Sequence, residues 1–350
     1  MSLSKNQMIS IVVVIAVVIV VVAAVLATSD NGGKDDSKQY DEKGVTVTTF
    51  VDYNGNTADL KFDKVPERVV CGCNTALNLL LYLGLGDHIV GVYYDEEPVW
   101  DEVKDEYDKL VERIGEKDAD GSKHTSKNIS TDVLLSWQPD LVIGWVSWTN
   151  DGLGSESFWN ENGANVMSLN TMTSDKYRNL TVMKTDYDNI GMIFDIKDKT
   201  DALYNQIVDV YNGVVQKMGK SDVTYALVDG AVNTEKGTVW AYKDSNFVAS
   251  LLNGMGMKNA FPNGGQVSLA KVYEVIGTTD IDMIIYITYG SVTLEKSEAS
   301  WESDPDLAKC SAIKNGHTIG MKLSASYGSS PELLDVIQQV SEYVTKLTKS

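Results

Sequence analysis

The sequence predicts an α/β protein with two sheet-and-helix lobes, joined by one long α-helix and preceded by an N-terminal transmembrane helix. Three observations predict this architecture. Short apolar runs alternate with helical stretches in both halves of the chain, a pattern typical of parallel strands covered by helices. A long stretch without strand signals separates the two halves. A long apolar run lies near the N-terminus.

Composition limits the classes of function. The 350 residues include 30 Lys and Arg against 49 Asp and Glu, which gives a formal net charge of −19. Such a charge argues against a nucleic acid partner, since that affinity depends on Lys and Arg neutralising phosphates. With three cysteines and three histidines, a disulfide-dense scaffold and a four-cysteine metal site are excluded. We expect no cofactor and no resident metal.

Residues 1–28 are predicted to form a membrane anchor or a signal. From Met8 to Leu26, Ser10 is the only polar residue, and the run is long enough to cross a bilayer as a helix. Lys5 precedes it, which favours a cytoplasmic N-terminus and places the rest of the chain outside. The alternative is a signal peptide cleaved near Ala27, which would give a secreted form. We expect an uncleaved anchor on the extracytoplasmic face of the cell membrane.

The following stretch, 29–43, is polar and of mixed charge, which predicts a flexible tether. Residues 44–175 form the predicted N-terminal lobe. It begins with an alternating segment, 45–62, in which Asn54 and Gly55 provide the signal for a hairpin turn.

Four strands and two helices are predicted in the rest of this lobe. The strands are expected at 68–71, 88–94, 141–145 and 165–169, and the helices at 75–83 and 131–137. Ligands of parallel sheets bind beyond the carboxyl ends of the strands. The loops that could line a site are therefore 71–74, 93–95 and 145–159.

Residues 176–219 are predicted to form a connecting helical segment. They contain no proline, and the apolar spacing within 198–218 predicts a long helix that would act as a stiff connector. Residues 220–350 then form the C-terminal lobe and repeat the alternation of strands and helices. The strands are expected at 225–228, 238–241, 283–287 and 318–321, and the helices at 247–256 and 331–349.

A faint internal repeat relates the two lobes. Asp132 precedes Asp140 at the start of one strand, and Glu274 precedes Asp282 by the same interval at the start of another. The repeat predicts that the two lobes share a related arrangement at these ends.

Seven segments carry a resemblance to a known family. They are 65–70 (VPERVV), 80–92 (LLYLGLGDHIVGV), 132–144 (DVLLSWQPDLVIG), 245–260 (SNFVASLLNGMGMKNA), 267–268 (VS), 280–287 (DIDMIIYI) and 312–316 (AIKNG). In this order they resemble the substrate-binding proteins of ABC importers for iron–siderophore complexes, haem and cobalamin. The resemblance covers about residues 65–348.

The resemblance implies a bilobed fold with a single connecting helix, a ligand cleft between the lobes and a small closing motion. It implies an ABC permease and its ATPase as partners, with a metal chelate or corrinoid as ligand; we expect a monomer held at the membrane by the N-terminal helix. In this family an acidic residue on each lobe docks into the permease, and those positions fall on Asp132 and Glu274. An alignment on Val267 and Ser268 would place Ala270 at the second position instead.

Aromatic residues near strand ends are the candidates for binding the ligand, because aromatic rings suit large, flat or amphipathic molecules. The candidates are Tyr94, Trp145, Trp148, Trp240, Tyr289 and Tyr327. For each aromatic residue, packing in a lobe core is the alternative to binding the ligand. The same alternatives apply to the neighbouring Tyr93, Trp159, Tyr242 and Tyr286. Arg178 and Lys243 are the candidates for meeting an anionic chelate.

The predicted function is that of a solute receptor, with a ferric siderophore favoured over cobalamin and haem. The alternative is a cell-surface sensor or a metal-centre protein on the same fold, which only Cys71 and Cys73 support. We expect these two cysteines to be buried thiols at a strand end, and the three histidines to lie apart. Because no catalytic motif such as GxSxG or HExxH is present, an enzyme is not predicted.

Overall fold

A computed structural model of the chain contains a β-hairpin and two β-sheets that are flanked by helices. It describes residues 44–51, 56–93, 99–114, 130–145, 156–173, 178–218, 221–233 and 235–347. The predicted anchor and tether lie outside these ranges. Within them, no helix combines the length and the apolar composition that are needed to cross a bilayer.

The strands are β1 (Val45–Phe50), β2 (Thr57–Phe62), β3 (Val69–Cys71), β4 (Ile89–Val92), β5 (Leu141–Ile143), β6 (Asn165–Met167), β7 (Thr224–Asp229), β8 (Thr238–Ala241), β9 (Lys258–Asn259), β10 (Gly265–Ser268), β11 (Met283–Thr288) and β12 (Thr318–Lys322). The helices are α1 (Asn74–Tyr82), α2 (Lys104–Ile114), α3 (Thr131–Ser136), α4 (Glu156–Glu161), α5 (Asn170–Thr173), α6 (Leu180–Ile193), α7 (Lys197–Met218), α8 (Phe247–Gly254), α9 (Leu269–Thr278), α10 (Leu294–Glu302), α11 (Ser311–Lys314), α12 (Leu323–Ser326) and α13 (Leu333–Leu347). Single 3₁₀ turns lie at Gly86–His88, Asp101–Val103 and Leu307–Lys309.

The leading hairpin is formed by β1 and β2, which pair in antiparallel register with Val45 opposite Phe62, as the alternating pattern predicts. Side chains fix it to the first lobe. The Thr49 hydroxyl donates to the Ser168 carbonyl at 3.0 Å, and the Asn189 side-chain amide donates to the Thr48 carbonyl at 2.9 Å.

The first sheet has the strand order β4-β3-β5-β6, and all of its pairs are parallel. The residues of β3 and β5 are buried, as expected for central strands covered by helices on both faces. The four strands predicted from the sequence are all present, each shortened at one or both ends.

The second sheet has the order β10-β8-β7-β11-β12, and β9 also pairs with β7. The pairs of β11 with β7 and β12 are parallel, but β8 runs antiparallel to both β7 and β10. The expectation that this lobe repeats the parallel pattern is therefore wrong at this edge. Only residues 230–237 connect β7 to β8, and a parallel crossover needs about a dozen residues or more.

Three helices, the short α5 and the longer α6 and α7, lie between the last strand of the first sheet and the first strand of the second. The longest, α7, has 22 residues and spans about 33 Å at 1.5 Å per residue. The predicted long helix corresponds to α7, whereas α6 was not resolved as a separate helix from the sequence. A single stiff connection between the lobes stays a prediction.

One apolar core runs through both lobes. It extends from Val45 of the hairpin through α1, α6, α7 and α8 to Val344 of α13. The side chains of β7 alternate between the two faces of the second sheet. Tyr225 and Leu227 lie in the shared core, whereas Ala226 and Val228 lie in a separate cluster on the opposite face. A third cluster covers the outer face of the first sheet.

The internal repeat has a structural basis. Asp140 accepts hydrogen bonds from the backbone N–H groups of Glu67 (2.8 Å) and Arg68 (3.0 Å), immediately before β3. Asp282 does the same for Thr224, the first residue of β7, at 2.7 Å. Each aspartate therefore ties the start of its own strand to the start of the neighbouring one.

Candidate functional site

Tyr327 lies between two other side chains that the sequence singles out. Its ring meets the ring of Trp145 edge to face, with a centroid distance of 4.7 Å and an interplanar angle of 85°. The guanidinium carbon of Arg178 lies over the Tyr327 ring, 4.7 Å from its centroid. The three side chains, all half-buried, form what we call the Tyr327 group.

Three elements that are far apart in the chain supply this group. Trp145 follows the carboxyl end of β5, and Tyr327 follows α12 beyond the carboxyl end of β12. Arg178 stands directly before Asn179, whose side chain accepts a hydrogen bond from Val182 N at 3.0 Å and so begins α6. The group therefore joins the first lobe, the second lobe and the helix pair between them.

A second group lies at the carboxyl edge of the second sheet. Asp229, the last residue of β7, accepts a hydrogen bond from the Tyr242 hydroxyl at 2.7 Å and another from Tyr289. Burial raises the pKa of Asp229, and the two hydrogen bonds oppose that rise. Burial is also the main cause of the raised pKa of Tyr242, and electrostatic repulsion from Tyr327 is the next cause, so the two groups influence each other electrostatically.

A cavity of about 340 Å³ opens at the same edge of the sheet, beyond the ends of β11 and β12. Its wall includes Thr288, Tyr289, Leu294 and Lys322. The Lys322 ammonium donates to the carbonyl of Val99 in the first lobe at 2.9 Å. The cavity therefore lies where ligands of α/β sheets bind, and one of its walls is fixed to the other lobe.

The comparisons with known proteins agree with this geometry. A family model described as periplasmic binding protein matches residues 69–325. The chain belongs to the periplasmic binding protein family. This is a family of extracytoplasmic substrate-binding proteins of transport, not of enzymes, and the resemblance inferred from the seven segments is confirmed at that level. A search of curated proteins gives no match.

Solved structures share the fold at low sequence identity. A periplasmic binding protein from Veillonella parvula is similar with a TM-score of 0.70 and 20% identity, over 87% of this chain and 92% of the other. An ABC-type Fe³⁺-hydroxamate transport protein from Saccharomonospora viridis gives 0.67 and 20%, over 85% and 98%. The petrobactin-binding protein from Bacillus subtilis gives 0.59 and 21%, over 86% and 99%.

The other predicted aromatic residues of this periplasmic binding protein have different positions. Trp240 lies on β8 and is 50% exposed. Tyr94 and Trp148 lie outside the described residues. Trp159 and Tyr286 are fully buried, in the clusters on the outer faces of the first and the second sheet respectively. For these two residues the alternative of core packing is correct.

Asp132 and Glu274 are both exposed helical residues. Each lies four residues before the last residue of its helix, α3 or α9, and the helix leads in each case to a strand preceded by the repeated aspartate. Counted from the N-caps, the two positions differ by about one turn: Asp132 is two residues after Ser130, and Glu274 is six residues after Ser268. The spacing to the following strand, and not the cap, therefore makes these two positions equivalent.

The cysteines and histidines of the described residues show no arrangement suited to a metal. Cys71 and Cys73 are buried thiols that are not joined in a disulfide, and the sulfur of Cys73 lies 3.9 Å from that of Met172. Burial raises the pKa of Cys71 well above its usual value, so its thiol stays protonated at neutral pH. Within the described ranges, no group of three or more His, Cys, Asp or Glu side chains could hold a metal ion.

Sequence reasoning missed two charged residues of the site, Asp229 and Lys322. Both are the last residues of strands, β7 and β12. The rule that ligands bind beyond the carboxyl ends of strands would have found them, had it been applied to the second lobe as it was to the first.

Proposed function

We propose that this protein is the receptor component of an ABC importer, which captures a metal chelate in the cleft between its lobes and delivers it to the permease. The Tyr327 group carries the proposal. It combines aromatic rings and a guanidinium where three parts of the fold meet. Membership of the periplasmic binding protein family supports the transport role.

The chemistry of the site favours a ligand with a large apolar surface and some negative charge. Trp145 and Tyr327 offer ring faces and edges, which bury much area at low cost in conformational entropy. Arg178 offers a cation that is always charged and presents several N–H donors in one plane. A ferric catecholate has both properties, since its deprotonated catechols give a bulky complex a net negative charge. A ferric hydroxamate shares the bulk and the surface oxygen atoms.

A ferric siderophore is the ligand that we favour within this class. Two proteins of the same fold are named for related ligands, the Fe³⁺-hydroxamate transport protein from Saccharomonospora viridis and the petrobactin-binding protein from Bacillus subtilis. Cobalamin and haem remain the alternatives. Asp229, Tyr242 and Tyr289 add a carboxylate and two hydroxyls at the edge of the second sheet. These groups also suit a ligand with amide or hydroxyl groups.

For delivery, we propose that Asp132 and Glu274 dock onto arginine residues of the permease, whose ATPase drives import. Their exposure and their equivalent positions on α3 and α9 support this assignment. We further propose that the apolar run from Met8 to Leu26 holds the monomeric receptor at the outer face of the cell membrane.

The test is a titration of the full-length chain in a mild detergent, in which intrinsic tryptophan fluorescence reports ligand binding. A ferric hydroxamate, a ferric catecholate, haem and cobalamin are added in parallel. We expect saturable quenching by one of the two ferric complexes at micromolar or lower concentration. Quenching by cobalamin or haem alone would replace the siderophore with that ligand, and no saturable signal from any of the four would contradict a chelate receptor.

A charge-removing variant sharpens the test. Arg178→Gln keeps most of the side chain but loses the cation beside Tyr327, so we expect at least a fivefold loss of affinity for an anionic complex, from the loss of one charge-assisted contact. Lys309→Gln removes an exposed positive charge from the 3₁₀ turn Leu307–Lys309, where the ammonium pairs with Asp306 at 2.5 Å. This control should bind as the wild type does.

A further inference from the structure

Residues 323–332 contain Tyr327 and follow β12, and we call them the Tyr327 segment. Although chain order assigns the segment to the second lobe, buried hydrogen bonds fasten it to the first. The Thr75 hydroxyl, on α1, donates to the Ser324 carbonyl at 2.9 Å. The hydroxyls of Thr171, on α5, and Ser329 lie 2.9 Å apart.

The two ends of the segment are held together by one buried carboxylate. At the beginning and the end, Glu332 accepts hydrogen bonds from the hydroxyls of Ser324 (2.5 Å) and Ser330 (3.1 Å). This carboxylate therefore closes the segment on itself.

Close to Tyr327, the Tyr327 segment is bound by Asp186 of α6, which is completely buried. One of its oxygens accepts from Ser329 Oγ at 2.6 Å and from Thr171 N at 3.1 Å. The other oxygen accepts from Asn170 N at 2.6 Å. Three donors from two other parts of the fold thus converge on one side chain.

The backbone between Tyr327 and this carboxylate is in an uncommon conformation. Gly328 has a φ of +83° and Ser329 a φ of +57°. Serine rarely adopts the left-handed region, and a residue is held there only when its surroundings fix it. The hydrogen bond from Ser329 to Asp186 is such a constraint, and it acts two residues from the Tyr327 ring.

The same helix also determines where Arg178 lies. Arg178 stands just before the N-cap of α6, and Asp186 lies about two turns further along that helix. The distance between them is fixed by the hydrogen bonds of the helix. One helix therefore sets both the guanidinium over the ring and the anchor of the segment that carries the ring.

We propose that Asp186 is a positioning residue for ligand binding: through Ser329 it holds Tyr327 against Arg178 and Trp145 before the ligand arrives. This inference rests on the proposed function for its effect on affinity, but the ordering of the segment does not depend on any ligand. A ligand then binds to a preformed aromatic surface and does not have to order it, which increases affinity.

The experiment compares Ser329→Ala with Ser326→Ala in the full-length chain. Both serines are fully buried in the Tyr327 segment, but the Ser326 hydroxyl donates only to the Leu323 carbonyl at 2.8 Å. Amide hydrogen exchange of the segment is measured without ligand, and affinity for a ferric hydroxamate is measured by fluorescence. Asp186→Asn, similar in shape but able to satisfy fewer of the three donors, is the third variant.

We expect Ser329→Ala and Asp186→Asn to speed exchange in residues 323–332 by about tenfold and to weaken ferric hydroxamate binding by a similar factor. Exchange elsewhere and all properties of Ser326→Ala should change by less than about twofold. Equal exchange in the two serine variants would overturn the proposal. Faster exchange spread over the whole chain would also overturn it, because it would make Asp186 a contributor to global stability alone.

The two arms separate this inference from the proposed function. If the wild type binds neither the ferric hydroxamate nor the other three ligands, the proposed function fails. The exchange measurement then still supports or overturns the ordering of Tyr327 by Asp186.

Discussion

Trp145 and Tyr327 meet edge to face across the boundary between the two lobes, with their ring centroids 4.7 Å apart. Trp145 belongs to the first sheet and Tyr327 to a segment that follows the second. Such a contact exists only while the lobes keep their relative position. The shared apolar core and the buried hydrogen bonds of Ser329 to Asp186 and of Thr75 to the Ser324 carbonyl maintain that position, so the ring pair is a consequence of how the lobes are joined.

Replacing Tyr327 tests the contribution of its ring to ligand binding. Tyr327→Leu keeps an apolar side chain but removes the partner of Trp145 and Arg178. Aromatic pairs and cation–π contacts each contribute about 0.5 to 1.5 kcal/mol, so we expect binding of the ferric complex to weaken by about tenfold or more. Fluorescence titration of the variant measures this change.

The matched control for this substitution is Tyr343→Leu. Tyr343 lies on α13, and its hydroxyl donates to the Gly316 carbonyl at 3.0 Å. Its loss should change the unfolding midpoint and leave the affinity unchanged. If both variants bind as the wild type does, Tyr327 does not contact the ligand.

Gly328 is required by its neighbours as well as by its backbone. A Cβ atom at this position would lie 2.6 to 2.8 Å from ring atoms of Phe247, and φ is +83°. Gly163 has nearly the same φ, +84°, but an added Cβ would meet nothing within 4 Å. We expect Gly163→Ala to destabilise the protein by about 1 to 2 kcal/mol through backbone strain alone.

Gly328→Ala should cost about 1 to 3 kcal/mol more, because the Phe247 ring must move. It should also lower ligand affinity, since the shift begins next to Tyr327. Urea unfolding of the two variants gives the difference in the free energy of unfolding. Equal destabilisation by Gly328→Ala and Gly163→Ala would mean that the Phe247 ring can move aside with no change in the free energy of unfolding.

Local patterns predicted the parts of the fold that depend on neighbours in the chain. The hairpin follows from alternation around Asn54 and Gly55, and the strands of the first sheet follow from short apolar runs between turn signals. The antiparallel position of β8 could also be inferred, because its connection to β7 is too short for a crossover. Each of these features is decided within about 20 residues.

The site could be predicted only in part, because its contacts join residues that are distant in the chain. The hydrogen bond between Ser329 and Asp186 spans 143 residues, and no local pattern specifies it. Trp145 and Trp159 were equally plausible as site residues, but Trp159 lies on α4 and is buried against the outer face of the first sheet. That helix has six residues, too few for its apolar period to be recognised.

Asp186 should make the stability of the protein depend on pH. Burial raises its pKa to about 6, against the opposing hydrogen bonds of Ser329, Thr171 and Asn170. Between its ordinary pKa, near 4, and 6 the folded state binds more protons at this site than the unfolded state does. The free energy of unfolding should therefore fall as the pH rises through this interval, by a total of about 3 kcal/mol from this group.

Urea midpoints from pH 4 to 8 measure this dependence in the wild type and in Asp186→Asn. Burial raises the pKa of Glu332 and Asp229 as well, but both are present in the two proteins, so the difference between the profiles isolates Asp186. We expect the variant to show a shallower decline between pH 4 and 6.5, because only the contributions of the other groups remain. Parallel profiles would show that Asp186 titrates as it does in the unfolded chain.

Charge reversal at the proposed docking residues should separate import from ligand binding. Asp132 and Glu274 are exposed, and the ion pair of Glu274 with Lys271, at 2.7 Å, is exposed as well. Such pairs contribute little to stability, so the double variant Asp132→Lys and Glu274→Lys should fold and bind its ligand as the wild type does. A lysine facing an arginine of the permease would repel it, and we expect uptake to fall by about tenfold or more.

The control is the double variant Asp198→Lys and Glu342→Lys, which makes the same change in net charge at two other exposed helical carboxylates. Uptake of the labelled ferric complex is measured in cells that depend on this receptor, together with the affinity of each purified variant. A fall in uptake for the first pair alone, at unchanged affinity, would assign docking to α3 and α9. An equal fall for both pairs would attribute the effect to net charge, and normal uptake in the first pair would mean that the permease contacts another surface.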